Sequence, residues 1–211
     1  MKKRLLLLVL LAAAIRCSVV QGGEPARFIG KVAVEWLDDD PFIPRMRLLE
    51  DFGFQDARGK SWIAQKGSVL DGRSLPLAFR DTFGSAFQGQ YRKTSVLYDH
   101  YCRAMSEQWP EVHRMFYAAS IVEGVDETEA RLMYMALYAG GLRWEMKGSS
   151  CFRGCHAAAA ALTWKPEIQD LDLRPISAWI RQSSPDLDAI DARLNEVIRK
   201  PGPHIFVQRR D

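Results

Sequence analysis

The 211-residue chain sets 29 Lys and Arg against 26 Asp and Glu, a formal charge of +3, and much of that excess lies in the opening "MKKR". The remainder is near neutral, with acids and bases interspersed. That pattern reads as a solvated surface and excludes the basic stripe a nucleic-acid binder needs. No second apolar run of membrane-spanning length follows the N-terminal one, and about 190 residues beyond it suit one domain, or one domain with a long extension.

The N-terminus reads "MKKRLLLLVLLAAAIRCSVVQGG". A charged start followed by an apolar stretch from Leu5 to Ile15, too short to cross a bilayer, predicts a secretory signal peptide over residues 1–22. Val20 and Gly22 are small enough for the −3 and −1 positions of a cleavage site. Cys17 invites a lipoprotein reading, but Arg16 stands where lipid attachment wants a small residue. The expectation is a soluble periplasmic or secreted protein, without a transmembrane segment after cleavage. An exported chain meets oxidising conditions. Cys102, Cys151 and Cys155 then remain, enough for one disulfide with one thiol left over. The spacing does not choose the pair.

The first third reads as a small antiparallel sheet. "FIGKVAVEWL" (28–37) is one predicted strand, with Phe28, Val32, Val34 and Trp36 sharing a parity. "DDDPFIP" breaks it, "RMRLLEDFGFQD" is a second strand, "ARGK" a turn, and "SWIAQKG" a short third strand. Asp71-Gly72 marks a turn, and Ser74 with Pro76 suits a helix start.

From Tyr91 the pattern is helical: Tyr91 to Met105, then Pro110 to Gly124 with Val112, Met115, Phe116 and Ala119 at helical spacing. Asp126 and Glu129 have the spacing of a capping box. "ARLMYMALYA" is apolar nearly all round and so predicts a buried helix, ended by Gly140-Gly141. Residues 146–211 form a Cys-containing extension beyond a domain of 23–145. In that extension an Ala-rich helix follows the cysteines and "KPEIQDLDLRP" is a linker. Ser184-Pro185 opens a last amphipathic helix with Leu187, Ile190, Leu194, Val197 and Ile198 on one side. "HIFVQRR" is a final strand that would return to the N-terminal sheet.

The segments "VEWLDD", "RLLEDFGFQD", "GSVLDGRSLP", "FQGQYRKTSVLYDHYC", "EVHRMFYAA" and "ARLMYMALYAGGLRW" follow one another as in the family called domain of unknown function 1353, found in bacteria and their phages. The chain resembles that family over roughly residues 28–144. The resemblance implies an α+β fold, a short sheet followed by a helical half, and brings no established activity. Two departures stand out. Arg73 replaces a small residue in the family's Asp-Gly-small-Ser pattern, here Asp71, Gly72 and Ser74. The family's helical His-Asp pair becomes Tyr98-Asp99, with His100 one place later.

A helical His-Asp followed by an aromatic is similar to the core of secreted phospholipases A2. In those enzymes the His activates a water, Ca²⁺ polarises the ester and an Asp on a second helix orients the His. Here the base position holds Tyr98 and the orienting position His113. A Tyr with an ordinary pKa near 10 is a poor base at neutral pH, so any such chemistry must be rebuilt around His100 or His113.

Each candidate carries two readings. Asp99 and His113 form a base and its orienter across two helices, or Asp99 pairs with Arg103 at i+4. His113 is a functional base, or a polar group held in the helix seam. Asp71 and Ser74 wall a cleft, or close a turn and cap a helix. Tyr98 and Arg114 complete the candidate binding surface. "CFRGCH" (151–156) approximates the Cys-x-x-Cys-His of covalent haem with one residue too many and no clear distal ligand, so haem is disfavoured. Zinc on Cys102, Cys151, Cys155 and His156 has the right donors but an awkward adjacent Cys-His pair. The disulfide is the default. The metal, if any, is undetermined, with Ca²⁺ and Zn²⁺ both admissible. Two functions stand open: a non-catalytic envelope protein that binds a partner or ligand, slightly favoured because the histidine is lost, and a metal-assisted envelope hydrolase acting on lipid or cell wall through Asp99, His113 and His100 near Asp71.

Overall fold

The structure, a computed structural model, describes residues 24–146, 160–164 and 172–199. The predicted signal peptide, Cys151, Cys155, His156 and the expected strand at 204–210 lie outside the described residues. The architecture is α+β, antiparallel sheets first and helices after.

The predicted strand 28–37 is two strands, β1 (Arg27–Ile29) and β2 (Val34–Leu37), and they enter different sheets. Gly30 breaks them apart at φ 77°, a left-handed conformation that glycine adopts without a Cβ penalty. The predicted second strand likewise divides into β3 (Arg45–Leu48) and β4 (Phe52–Gln55). β5 (Ser61–Ala64) and the two-residue β6 (Val69–Leu70) complete two antiparallel three-stranded sheets, ordered β1-β4-β5 and β2-β3-β6. In β3 and β5 every second side chain is buried, which places Met46, Leu48, Trp62 and Ala64 inside.

A short helix α1 (Leu77–Phe83) leads to α2 (Arg92–Ala104), α3 (Trp109–Glu123) and α4 (Glu127–Gly140). The α3 helix stops at Gly124, left-handed at φ 104°. The Asp126 side chain caps α4, accepting the Thr128 and Glu129 N–H groups. The expected burial of α4 holds: ten of its residues, from Ala130 to Gly140, are buried. The main core joins Leu48, Phe52, Phe54, Trp62 and Leu70 of the sheets to Phe79, Leu97, Tyr98 and Phe116 of the helices.

The extension differs from its sequence reading. Ala160–Trp164, placed in an Ala-rich helix, is strand β8, paired with β7 (Arg143–Met146). The last two residues of the predicted linker, Arg174 and Pro175, open helix α5 (Arg174–Ser183), in which Pro175 sits in the first turn, where a missing N–H costs nothing. The last helix is present as α6 (Leu187–Arg199), and Ile190 and Leu194 are buried as expected. Helices α5 and α6 pack on α4 around a second cluster that includes Leu132, Tyr134, Met135, Tyr138, Ile176 and Ile180. Among the described residues, no helix is long and apolar enough to cross a membrane.

Candidate functional site

The candidates converge on the antiparallel pair α2–α3. Met105 ends α2 in a left-handed conformation, φ 48°, and turns the chain back into α3. This puts Tyr98 against His113, the two positions that a phospholipase-like site would give to base and orienter. Their ring centroids are 5.7 Å apart, and both side chains are fully buried.

Neither ring is poised for chemistry. Both His113 nitrogens lack a hydrogen-bond partner, and the ring lies between Tyr98 and Trp109, whose centroid is 5.2 Å away. Burial pushes the His113 pKa down to about 3, and the nearby Arg143 guanidinium pushes the same way. The imidazole is therefore neutral at ordinary pH. Burial raises the Tyr98 hydroxyl well above its usual range, with the Cys102 sulfur beside it adding to the effect; no well-aligned hydrogen bond satisfies that hydroxyl.

Asp99 turns elsewhere. Its carboxylate is buried and accepts two backbone N–H groups of the loop between β6 and α1: Asp71 at 2.9 Å and Ser74 at 3.3 Å. The expected Asp99–His113 hydrogen bond is not formed, because the Asp99 carboxylate faces the loop while the His113 ring packs among Tyr98, Trp109 and Gly141. The expected Asp99–Arg103 pair is not formed either. Arg103 instead reaches Asp71 at 2.7 Å, and the other Asp71 oxygen accepts the Arg73 N–H. Ser74 does not cap α1, whose N-cap is Pro76 with no side-chain hydrogen bond. Thus Asp71, Ser74 and Asp99 do meet, as a loop clamp, and the acid and its supposed partner His113 do not.

His100 points to a different face, as its place next to Asp99 on a helix requires. Its Nδ1 lies 3.0 Å from Ser68 Oγ. That hydroxyl donates its own proton to the Gln65 carbonyl, so His100 Nδ1–H is left as the donor. Burial lowers the His100 pKa, against an opposing pull from Asp99. Arg114 is a clasp for the extension: its Nη2 contacts Asp188 at 2.6 Å and Asp191 at 2.5 Å, and Asp191 also accepts the Tyr134 hydroxyl at 2.6 Å.

Cys102 is a free, fully buried thiol, so the pairings that joined it to Cys151 or Cys155 are not formed. Burial raises its pKa, which makes it an inert thiol. Among the described residues, no three His, Cys, Asp or Glu side chains group as metal ligands. Two surface depressions among the described residues bear on the site. One, of about 420 Å³, lies between Phe83, Met135, Leu173 and Arg181; the other, of about 230 Å³, lies between Arg58, Arg114, Tyr117 and Leu187. Neither is lined by Tyr98, Asp99 or His113.

Sequence reasoning missed two participants. Asp56 is a buried carboxylate in the β4–β5 turn. Burial alone would raise its pKa, but N–H groups of Lys60, Arg58 and Trp62 outweigh burial and lower it. Gly141 is the other. A Cβ there would stand 2.4 Å from the Leu137 carbonyl oxygen and 3.0 Å from the His113 ring. The Gly-Gly pair that ends α4 was the available signal.

Residues 46–137, from β3 to the last turn of α4, match the family model described as Protein of unknown function (DUF1353). Over that segment the chain is similar to the family. The DUF1353 match is shorter than the resemblance read over 28–144 and leaves out β1, β2, β7 and the extension. Two relatives from Sinorhizobium fredii are similar to this chain. "Uncharacterized protein y4iH" is 34% identical over 109 residues, which is 51% of this chain and 46% of the relative. "Uncharacterized protein y4jT" is 33% identical over 132 residues, 61% of this chain and 39% of the relative. The chain thus matches less than half the length of either. No solved structure matches it.

Proposed function

We propose that this chain is an exported cell-envelope protein that acts by binding a partner rather than by catalysis. One observation carries the reading. The positions that would hold a water-activating pair, Tyr98 and His113, are sealed at 0% exposure, with no hydrogen bond between either of them and Asp99. A general base must reach the proton it abstracts directly or through one water. A neutral imidazole wedged between two aromatic rings does not reach solvent. The Asp99 carboxylate is occupied by the Asp71 and Ser74 N–H groups, and His100 by Ser68. Export rests on the N-terminal charge and hydropathy pattern, and a disulfide between Cys151 and Cys155 would suit that compartment.

The test is hydrolysis of phospholipid vesicles and of peptidoglycan by the purified protein with added Ca²⁺ or Zn²⁺. The expected result is no turnover above the Asp99→Asn and His113→Ala variants. Metal-dependent hydrolysis abolished by either substitution would replace this reading with the hydrolase.

A further inference from the structure

The strand β2 is the outer strand of the sheet β2-β3-β6, and among the described residues nothing pairs with its far side. The alternation of an antiparallel ladder fixes which of its groups face outward. Leu48 gives its N–H to Ser68 and accepts from Gly67, both on the β6 side. Leu48 and Met46 therefore bond towards β6, while Arg47 and Arg45 bond towards β2. Their partners Glu35 and Leu37 turn inward, and Val34 and Trp36 present their N–H and C=O groups to the open edge.

Two side chains at this edge are out of place for a free surface. Trp36 is 65% exposed, and Phe42 on the loop to β3 is 90% exposed. Natural edge strands are usually blunted by charge, proline or a cover, whereas an exposed Trp at an unpaired edge invites pairing. The same loop is acidic, "DDDPF". Asp39 is neutralised by Arg45 at 2.7 Å, and Asp40 accepts the Phe42 and Ile43 N–H groups. Glu35 is held by Arg47. Among the described residues, Asp38 has no such partner and no cation stands against Asp40. The edge thus offers a row of backbone groups, an aromatic anchor and uncompensated negative charge within a few residues.

We infer that the free edge of β2, with Trp36, Phe42 and Asp38, is a docking site for an extended segment of a partner protein that alternates apolar and basic residues. Such a segment adds as a strand. Its backbone meets the outward groups of Val34 and Trp36, an apolar side chain packs on the Trp36 ring, and a Lys or Arg faces Asp38. This inference rests on the binding reading above and names the class of partner. Val34, Trp36, Asp38 and Phe42 precede residues 46–137, the segment that matches the family model.

The test uses the purified full chain and a fluorescein-labelled octapeptide of alternating valine and lysine, read by fluorescence anisotropy. Saturable binding is expected. Trp36→Ala should weaken it about tenfold or more, as loss of a central aromatic anchor does. Asp38→Lys should weaken it several-fold and flatten its dependence on salt. An alternating valine–glutamate peptide should bind at least about tenfold less tightly, and N-methylation of alternate amides of the lysine peptide should abolish binding. Absence of binding, equal binding by the Trp36→Ala variant, or equal binding of the glutamate or N-methylated peptide would overturn the inference. So would retention on phosphatidylcholine vesicles through Trp36 and Phe42 with no peptide binding. If the peptides fail and hydrolysis is also absent, the edge assignment falls and the binding reading survives. If Asp99-dependent hydrolysis accompanies peptide binding, the binding-only reading falls and the edge assignment survives.

Discussion

Tyr98 and His113 face each other across the α2–α3 seam, their ring planes tilted by 37° and neither exposed to solvent. These are the positions where the family's His and a second-helix orienter would stand. In this chain the two polar rings act as packing. What remains of the acid–base vocabulary, Asp99, has been taken over by the loop in front of it.

The His113 environment has a pH consequence with a definite sign. The folded pKa, about 3, lies below the ordinary 6.5. The unfolded chain therefore takes up a proton first as pH falls. The His113 contribution to stability is complete above about pH 6.5 and is lost progressively between there and about pH 3, at no more than ~1.4 kcal/mol per pH unit. His113→Leu removes that titration. Urea unfolding at pH 6.5 and pH 5 should show the parent losing about 1–2 kcal/mol more than the variant. Equal losses would mean the imidazole is hydrated in the fold.

Gly141→Ala should be strongly destabilising although the backbone there is not left-handed. The new methyl meets the Leu137 carbonyl oxygen and the His113 ring together, and one of these is main chain. Overpacking of this kind costs about 1–3 kcal/mol or more. Thermal unfolding of the variant measures it. The double variant with His113→Ala should recover only part of the loss, because the carbonyl clash persists.

Asp99→Asn should cost about 1–3 kcal/mol, since an amide offers one acceptor to two inward N–H groups and turns its own NH₂ towards the other. Asp71→Asn, which disturbs the half-exposed pair with Arg103, should cost less than about 1 kcal/mol. Denaturant midpoints of the two variants give the comparison, and the reverse order would contradict the clamp.

Arg114→Ala should loosen α6 selectively. It leaves Asp191 half-buried with only the Tyr134 hydroxyl, and burial already raises the Asp191 pKa. A loss of about 1–3 kcal/mol is expected, with faster hydrogen exchange in α6 than in α2. Asp188→Asn, at a side chain that is itself 86% exposed, should change stability by less than about 0.5 kcal/mol.

Cys102 should be invisible to thiol reagents in the native protein and react once after unfolding without reductant, as a buried free thiol requires. A native chain whose Cys102 is found in a disulfide by peptide mapping would contradict the structure.

The helical half was legible because its signals are local. Gly124, Asp126 and Gly140-Gly141 each act on the adjacent turn: Gly124 ends α3, Asp126 caps α4 and Gly141 closes it. The sheets were less so. Alternation continues in parity from Phe28 to Trp36 while the chain leaves one sheet for another, and only Gly30 marks the departure. Helix α5 hid behind a stretch read as a linker from its composition, whose Pro175 sits in a first turn. Ile176, Trp179 and Ile180 at helical spacing were the better guide. The site was legible as a set of residues and not as partnerships. Sequence brings Asp99 near both a loop and a helix, and the choice between them depends on how α2 is rotated in the core.

The double burial of α4 bears on how this protein comes apart. One side of the helix, with Ala130, Met133 and Leu137, closes the main core, and the other, with Leu132, Met135 and Tyr138, closes the cluster made with α5 and α6. Releasing the two C-terminal helices would strand an apolar stripe of a helix whose opposite stripe is still needed inside. The family segment and its extension are thus bound into one melting unit. Limited proteolysis after residue 146 should yield fragments that stay associated until both are denatured together.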